Sequence, residues 1–159
     1  WTSCQVARGF SIIASGPSGI LADLVTWRLR RLGIPTISMT ESGLHLLEKL
    51  VLLRSEDALL ATGFKHLTPE VLAVLNHAKM TASRSVLITD TLGRVLRSMP
   101  DVILAARRGP VSAFHSLTVP MSILNSLILA VAMARPDDSP AALNRLQELR
   151  ATSGLDIPD

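Results

Sequence analysis

Short apolar runs rich in β-branched residues alternate along this chain with longer stretches of helical spacing. The short runs predict five strands, at 10–14, 34–39, 58–62, 85–89 and 102–106. The longer stretches predict helices over 18–32, 42–54 and 91–98, and helices that begin at Thr68, near Pro120 and at Ser139. Because the strands are apolar almost throughout, this alternation predicts an α/β fold with a parallel sheet covered by helices on both faces.

Three residues mark helix ends most clearly. Gly33 follows the first helix and can adopt the left-handed conformation that terminates one. Thr68 and Ser139 each stand directly before a proline, which is typical of a capping hydroxyl followed by Pro at the first helical position. These signals predict where the connections between strands and helices lie.

The loops that follow the strands are the expected place for a ligand. In an open parallel sheet, ligands bind beyond the carboxyl ends of the strands, near the point where strand order reverses. The loops at that edge are predicted at 14–19, 39–42, 62–68, 89–92 and 106–116.

Composition narrows the class of protein. The 159 residues are 48% apolar and 18% charged, which excludes a disordered chain and leaves a well-buried domain or a membrane protein. The uncharged stretch 109–134 raises the membrane question, but Pro110 and Pro120 interrupt it and Asn125 lies inside it. We therefore expect a buried core or interface helix over 119–134 and no membrane partner.

Charge and cysteine content exclude several kinds of site. A net charge of +3 and 3% aromatic residues without Tyr argue against a stacking platform for single-stranded nucleic acid. The single Cys4 has no base partner and cannot form an internal disulfide, so a reducing, cytoplasmic setting is expected. The four histidines share no metal-ligand spacing, so no metal and no cofactor are predicted.

The loop after the first strand has the residues of an anion site. Ser15, Gly16 and Ser18 are small, which leaves backbone N–H groups accessible at a helix N-terminus. Ser18 can cap that helix or donate its hydroxyl to a phosphate. The segment matches neither a Walker A loop nor a dinucleotide fingerprint, and a tight turn with a serine cap explains it equally well.

The loop after the third strand offers a second candidate. Lys65 supplies positive charge and Thr68 a hydroxyl, although a solvated lysine beside an ordinary cap is the alternative. Arg107 and Arg108 follow the fifth strand at the same edge and are candidates to meet an anionic ligand or a neighbouring subunit. The basic cluster at 28–31, by contrast, is interpreted as a solvated helix face.

Taken in order, several segments resemble the sugar isomerase (SIS) domain, and most closely the effector domain of RpiR/MurR-type bacterial transcriptional regulators. The matching segments are IIASGPSGI at 12–20, LGIP at 32–35, TPEVL at 68–72, VLITD at 86–90 and MPDVI at 99–103. The resemblance implies a flavodoxin-like three-layer sandwich with a five-stranded parallel sheet over residues 1–150, followed by a tail at 151–159. It also implies a homodimer or higher homo-oligomer, and a sugar phosphate or other anionic sugar bound by the loops after the first and third strands.

The family's regulators bind DNA through an N-terminal helix-turn-helix domain. Because this sequence begins at Trp1 and not at Met, we expect that domain to be missing from it and DNA to be bound only through that domain. The residues expected to hold the ligand are Ser15, Gly16, Ser18, Lys65 and Thr68.

The sequence also departs from the family pattern. The family's first loop reads Gly-x-Gly-x-Ser, whereas Ala14 stands here at the first glycine. Its second loop reads Ser-x-Ser-Gly-x-Thr, of which only Thr68 is kept, so either Lys65 replaces the lost hydroxyls or phosphate binding has been lost. Leu67 occupies the acidic position of sugar-isomerising members and cannot move protons.

Three functions therefore remain, with the regulator's sensing domain preferred. A phosphosugar isomerase is the enzymatic alternative, and only Glu70, His66 or His115 could act as its base. The third is a domain that has lost its site and serves only dimerisation through the helix at 119–134. We predict no catalytic residues.

Overall fold

The computed structural model describes residues 7–90, 99–109 and 115–155. Within them, strands and helices alternate as the sequence pattern predicts. Their bounds are β1 (Phe10–Ala14), α1 (Gly19–Arg31), β2 (Thr36–Met39), α2 (Gly43–Leu50), β3 (Ala58–Thr62), α3 (Pro69–Met80), β4 (Arg84–Thr89), β5 (Val102–Ala105), α4 (Thr118–Met133) and α5 (Asp138–Ser153). The helix predicted at 91–98 lies outside the described residues.

The five strands form one parallel sheet in the order β2-β1-β3-β4-β5. The chain steps outward from β1 to β2 and then returns to β3 on the other side of β1, so strand order reverses between β1 and β3. Ala14 and Thr62, the last residues of these two strands, are paired neighbours in the register. The predicted α/β, flavodoxin-like architecture is confirmed, and the reversal marks where a ligand is expected.

Both faces of the sheet are buried. Ile12 and Ile13 are adjacent on β1, and because successive side chains point to opposite faces, each enters a different core. Ile12 packs in a cluster with residues of α1 and α4, and Ile13 in a second cluster with residues of α2 and α3. This double burial explains why apolar residues predominate in the strands.

Two of the predicted helix ends are observed as expected. Gly33 has φ +74°, and the N–H of Ile34 donates to the carbonyl of Leu29 at 3.2 Å, which closes α1 with a Schellman motif. The Thr68 hydroxyl accepts a hydrogen bond from the N–H of Val71 at 3.5 Å and caps α3.

Several predicted boundaries are wrong, and three of them have a local reason. β2 begins at Thr36 and not at residue 34, because the N–H of Ile34 is already used to close α1. α2 ends at Leu50 and not at residue 54, because the chain tightens there into turns with bonds three residues apart. Ser139 does not cap α5: the helix begins one residue earlier, and the N–H of Ser139 donates to the carbonyl of Arg135.

The last two helices extend further than predicted. α4 begins at Thr118, two residues before Pro120, and α5 runs to Ser153, into the segment predicted as a tail. In the described part of the chain, no single helix has both the length and the apolarity to cross a bilayer; α4 and α5 meet that test only as a pair bent by 99°.

Candidate functional site

A cavity of about 730 Å³ opens at the carboxyl ends of β1 and β3, where strand order reverses. Three of the predicted loops supply its walls, those after β1, β3 and β5. Its lining residues are Ser15, Pro17, Ser18, Thr62, Gly63, Phe64, Lys65, His66, Thr68, Val71, Arg108, His115 and Leu117. Four of the five predicted ligand residues therefore line one cavity, and Gly16 does not.

Gly16 shapes the first loop. It has φ +59°, the left-handed region that favours glycine, and begins the short 3-10 turn that leads into α1. A Cβ built on Gly16 would meet nothing within 4 Å, so the position requires a backbone conformation and not an empty space. Ser18 stands at the N-cap of α1, yet its side chain makes no capping hydrogen bond, so the predicted capping role is wrong.

The first and second loops are joined by their hydroxyl groups. Ser15 Oγ lies 2.9 Å from Thr68 Oγ1, across 53 residues of sequence. This bond brings the N-terminus of α1 and the N-terminus of α3 to the same cavity. Both helix ends direct the positive end of their dipole there, and an anion is favoured at such a position.

The loop after β3 is anchored by apolar side chains in both cores. Phe64 is buried in the cluster beneath α1 and α4, while Leu67 packs against the cluster beneath α2 and α3. A Cβ on Gly63 would lie 2.1 Å from Leu67 Cδ2, so a side chain at residue 63 would force Leu67 to shift from its place. Phe64 and Leu67 thus hold the loop, and Lys65 and His66 are exposed between these two anchors.

Asp90 holds the backbone of Lys65 in an unusual conformation. Lys65 has φ +58°, which side-chain-bearing residues rarely adopt, and its N–H donates to Asp90 Oδ1 at 2.9 Å. Strain of this kind is found where surrounding structure over-determines a residue, often at functional sites. The Lys65 side chain remains part of the cavity wall.

Arg108 completes the wall by pairing with the same carboxylate. Its Nη2 and Nε donate to Asp90 Oδ2 at 3.0 and 3.3 Å, and its guanidinium lies 4.1 Å from the centre of the Phe64 ring. The Arg108 side chain is 9% exposed and that of Asp90 14% exposed. The prediction that Arg108 stands at the site edge is confirmed, whereas Arg107 does not line the cavity.

Sequence reasoning missed Asp90 and Phe64 as parts of the site. Asp90 follows β4 directly and falls in the predicted loop at 89–92, so its position carried a signal. Phe64 falls in the predicted loop at 62–68, but nothing in the sequence distinguishes an aromatic loop anchor from an ordinary core residue.

The structure places two of the three alternative catalytic bases at the cavity. His66 and His115 line the cavity, and Glu70 does not. His115 Nδ1 is buried and makes no hydrogen bond with any described residue. These two imidazoles are therefore the groups on which an enzymatic function would depend.

Metal chemistry finds no support in the described ranges 7–90, 99–109 and 115–155. No three His, Cys, Asp or Glu residues there could share a metal ion, and Cys4 lies outside those ranges. His45 makes an exposed pair with Glu48 at 3.5 Å.

No family model and no curated protein matches the sequence, but solved structures match its fold. The sugar isomerase domain of an RpiR transcription factor from Sphaerobacter thermophilus is 24% identical, with a TM-score of 0.80 over 91% of this chain and 80% of that chain. The Vibrio vulnificus NanR protein, solved with ManNAc-6P, is 21% identical with a TM-score of 0.73; the match covers 92% of this chain and only 56% of NanR.

A third structure comes from Methanococcus jannaschii and was used to infer a 3-hexulose-6-phosphate isomerase function for that protein. It is 19% identical, with a TM-score of 0.62 over 88% of this chain and 77% of that chain. The resemblance drawn from the sequence is thereby confirmed at the level of the fold, and the chain has the fold of a sugar isomerase domain.

Proposed function

We propose that this chain is the effector-binding domain of an RpiR-type transcriptional regulator and that its cavity binds a phosphorylated sugar. The observation that carries the proposal is the convergence of two helix N-termini on one cavity, joined by the hydrogen bond between Ser15 and Thr68. Backbone N–H groups and small hydroxyl side chains at such a position are well suited to phosphate oxygens.

The charges around the cavity support an anionic ligand. Arg108 is compensated by Asp90, whereas the Lys65 ammonium has no ion pair with any described residue. Lys65 therefore leaves an uncompensated positive charge at the cavity, beside the hydroxyls of Ser18 and Thr68. In this assignment Lys65 replaces the hydroxyls that the family pattern has at this loop, and acts on phosphate as a point charge.

We further propose that the domain forms a homodimer through the outer face of α4. Val119, Ser122, Ser126, Leu129 and Met133 are exposed and follow one another at alternating intervals of three and four residues, the spacing of a helix-helix seam. Leu129 is 61% exposed and Met133 73% exposed, although α4 carries no charged residue.

The polar groups on this face do not oppose burial. Ser122 Oγ and Ser126 Oγ each donate to a carbonyl four residues earlier in α4, at 3.0 Å in both cases. Because their hydroxyls are satisfied within the helix, a partner helix can cover them without leaving a polar group unpaired.

The cavity and the α4 face are close enough to be coupled. His115 and Leu117 line the cavity, and α4 begins at the next residue, Thr118. A ligand that contacts this junction better in one dimer arrangement than in another would shift the population toward that arrangement. In a regulator, that shift would alter the spacing of the attached DNA-binding domains.

Calorimetry against a panel of sugar phosphates, their unphosphorylated sugars and inorganic phosphate tests the binding proposal. We expect at least one sugar phosphate to bind, with its unphosphorylated counterpart bound far more weakly. If no sugar phosphate binds at millimolar concentration, the domain that only dimerises is the better interpretation.

Sedimentation tests the dimer separately. The wild-type chain should sediment as a dimer at micromolar concentration, and Leu129→Glu should produce a monomer because it places a charge in the proposed seam. A wild-type monomer under these conditions would contradict the interface.

An aldose–ketose isomerase is the second candidate, because His66 and His115 line the same cavity. Its base must exchange a substrate proton with solvent. Incubation of a bound sugar phosphate in deuterated water, followed by NMR of the carbon-bound protons, distinguishes the two: we expect no exchange, and exchange that His66→Gln or His115→Gln removes would establish the enzyme.

A further inference from the structure

A groove of about 480 Å³ separates α1 from α5, away from the cavity. α1 begins beside the carboxyl end of β1, and its last turn leads to the first residue of β2. The groove is built on that last turn, so it lies at the opposite edge of the sheet from the sugar-phosphate cavity.

The floor of this groove is apolar and accessible. Trp27 on α1 is 61% exposed, and Leu146 and Leu149 on α5 face it from the other side. The two helices approach closely where α1 ends: a Cβ built on Gly33 would lie only 2.9 Å from the Cβ of Ala142. An exposed indole beside leucines is typical of a surface that another molecule covers.

The rim of the groove is basic. Arg30 and Arg31 at the end of α1 and Arg145 and Arg150 on α5 line it together, and no acidic residue does so in the part of the chain that the structure describes. The sequence suggested only a solvated face for the α1 arginines. The convergence of two further arginines from a helix more than 100 residues away in the chain changes that interpretation.

The four arginines differ in the contacts that their guanidinium groups already make within the chain. Arg30 donates to the carbonyl of Thr36 at 2.8 and 3.1 Å and is committed to the fold. The Arg31 guanidinium stacks on Trp27 at 4.3 Å, which holds it in place with donors still available. Arg145 and Arg150 make no ion pair with any described residue.

We propose that this groove binds an acidic, amphipathic helix of a partner protein. Leucine-type side chains at helical spacing would lie on Trp27, Leu146 and Leu149, and flanking carboxylates would pair with Arg31, Arg145 and Arg150. A nucleic-acid backbone fits less well, because the floor offers nothing to phosphates and Arg31 already covers one face of the Trp27 ring.

The experiment titrates the protein with a fluorescent helical peptide of leucine and glutamate, with the leucines three and four residues apart. Control peptides replace the leucines by glutamine, or the glutamates by lysine. We expect the leucine–glutamate peptide to bind and to change Trp27 emission in a Trp1→Phe background, and both control peptides to bind far more weakly.

Charge reversal locates the binding. The double variant Arg145→Glu with Arg150→Glu should lower the affinity for the peptide by about tenfold or more. The control variant Arg54→Glu with Arg84→Glu has the same charge change outside the groove, and its affinity should stay within about twofold of the wild type. Thermal unfolding of both variants checks that each is folded.

Several results would overturn the proposal. These are no binding by the leucine–glutamate peptide, equal weakening by both variant pairs, or tight binding of duplex DNA that only the groove variant loses. Self-association of the chain that the groove variant abolishes would instead assign the surface to a second copy.

Discussion

The loops after β1 and β3 occupy equivalent places at the edge of the sheet, but they are made of residues of opposite size and polarity. The loop after β1 is made of small residues and owes its shape to Gly16 at φ +59°. The loop after β3 has large apolar residues, Phe64 and Leu67, inserted into the two cores, with Lys65 held between them. One loop presents backbone and hydroxyl groups to the cavity, and the other presents a charge.

Under the proposed function, this contrast means that an anion site can change the groups it offers the ligand while it stays at the same place in the fold. Helix N-termini and strand order fix where the anion is expected, so the loop residues are free to vary in what they offer it. In the second loop, apolar anchors supply the rigidity, and the pair formed by Asp90 and Arg108 holds the backbone of Lys65.

Among the residues around the cavity, the loss of Arg108 should lower the free energy of unfolding most. Arg108→Met leaves the largely buried Asp90 carboxylate without its guanidinium, so we expect the free energy of unfolding to fall by about 3 kcal/mol in urea titrations. The double variant Asp90→Asn with Arg108→Met should lose clearly less than the sum of the two single losses. Additive losses would show that the pair does not act as a unit.

The hydroxyls of Thr68 and Ser18 should separate an effect on stability from an effect on ligand binding. Thr68→Val removes the cap of α3 and should cost about 1 kcal/mol of unfolding free energy, besides weakening a bound sugar phosphate by about tenfold. Ser18→Ala should weaken the ligand to a similar degree with no loss of stability, since its side chain caps nothing. Calorimetry and urea titration of both variants provide the check, and equal stability losses would contradict the assigned roles.

Lys65 should contribute to the binding of a sugar phosphate, and its positive φ should slightly lower the free energy of unfolding. Lys65→Met removes the uncompensated charge and should weaken a sugar phosphate by about tenfold, while leaving stability nearly unchanged. Lys65→Gly should weaken it similarly but raise the unfolding free energy by about 0.5–1 kcal/mol, because glycine adopts positive φ without strain.

The matched control for this strain is Ala82, which has φ +57° far from the cavity. Ala82→Gly should bring a similar gain in stability and no change in binding. A Lys65→Met variant that binds normally would show that the charge on this loop is not used.

The smallest effect concerns a pair outside both loops. Hydrogen bonding to Lys49 lowers the pKa of Glu41 below its ordinary value of 4.5. A carboxyl group whose pKa is lowered by folding stabilises the folded protein at pH values above its pKa in the unfolded state. That contribution is lost as the pH falls through its pKa in the folded state. Because the pair is partly exposed, Glu41→Gln should cost only about 0.5 kcal/mol at neutral pH, and this cost should shrink as the pH falls below 4.5. A loss that persists in acid would assign it to packing.

Much of the fold could be predicted because its signals are local. The strands Phe10–Ala14 and Ala58–Thr62 were predicted with their observed bounds, since double burial leaves a mostly apolar run between polar turns. The errors arose where a nearby hydrogen bond competes with a propensity. Ile34 closes a helix before it can join a strand, and Ser139 continues a turn that has already begun at Arg135.

The site was predictable by position and less so by contact. Strand order and small polar residues pointed to Ser15, Ser18, Lys65 and Thr68, and all four line the cavity. The links between them depend on distances across the sheet edge that no local pattern records. The bond from Ser15 to Thr68 and the pairing of Asp90 with Arg108 belong to that class.

The central claim is that the loops after β1 and β3 form one sugar-phosphate site, and NMR tests it most directly. The amide resonances are followed while the protein is titrated with ManNAc-6P, with the other sugar phosphates of the calorimetric panel and with inorganic phosphate. The account predicts that the amides of residues 15, 16, 18 and 65–68 shift together with one binding constant, while those of the turn at 40–43 beside edge strand β2 do not. Shifts confined to one of the two loops, or found only elsewhere, would contradict it.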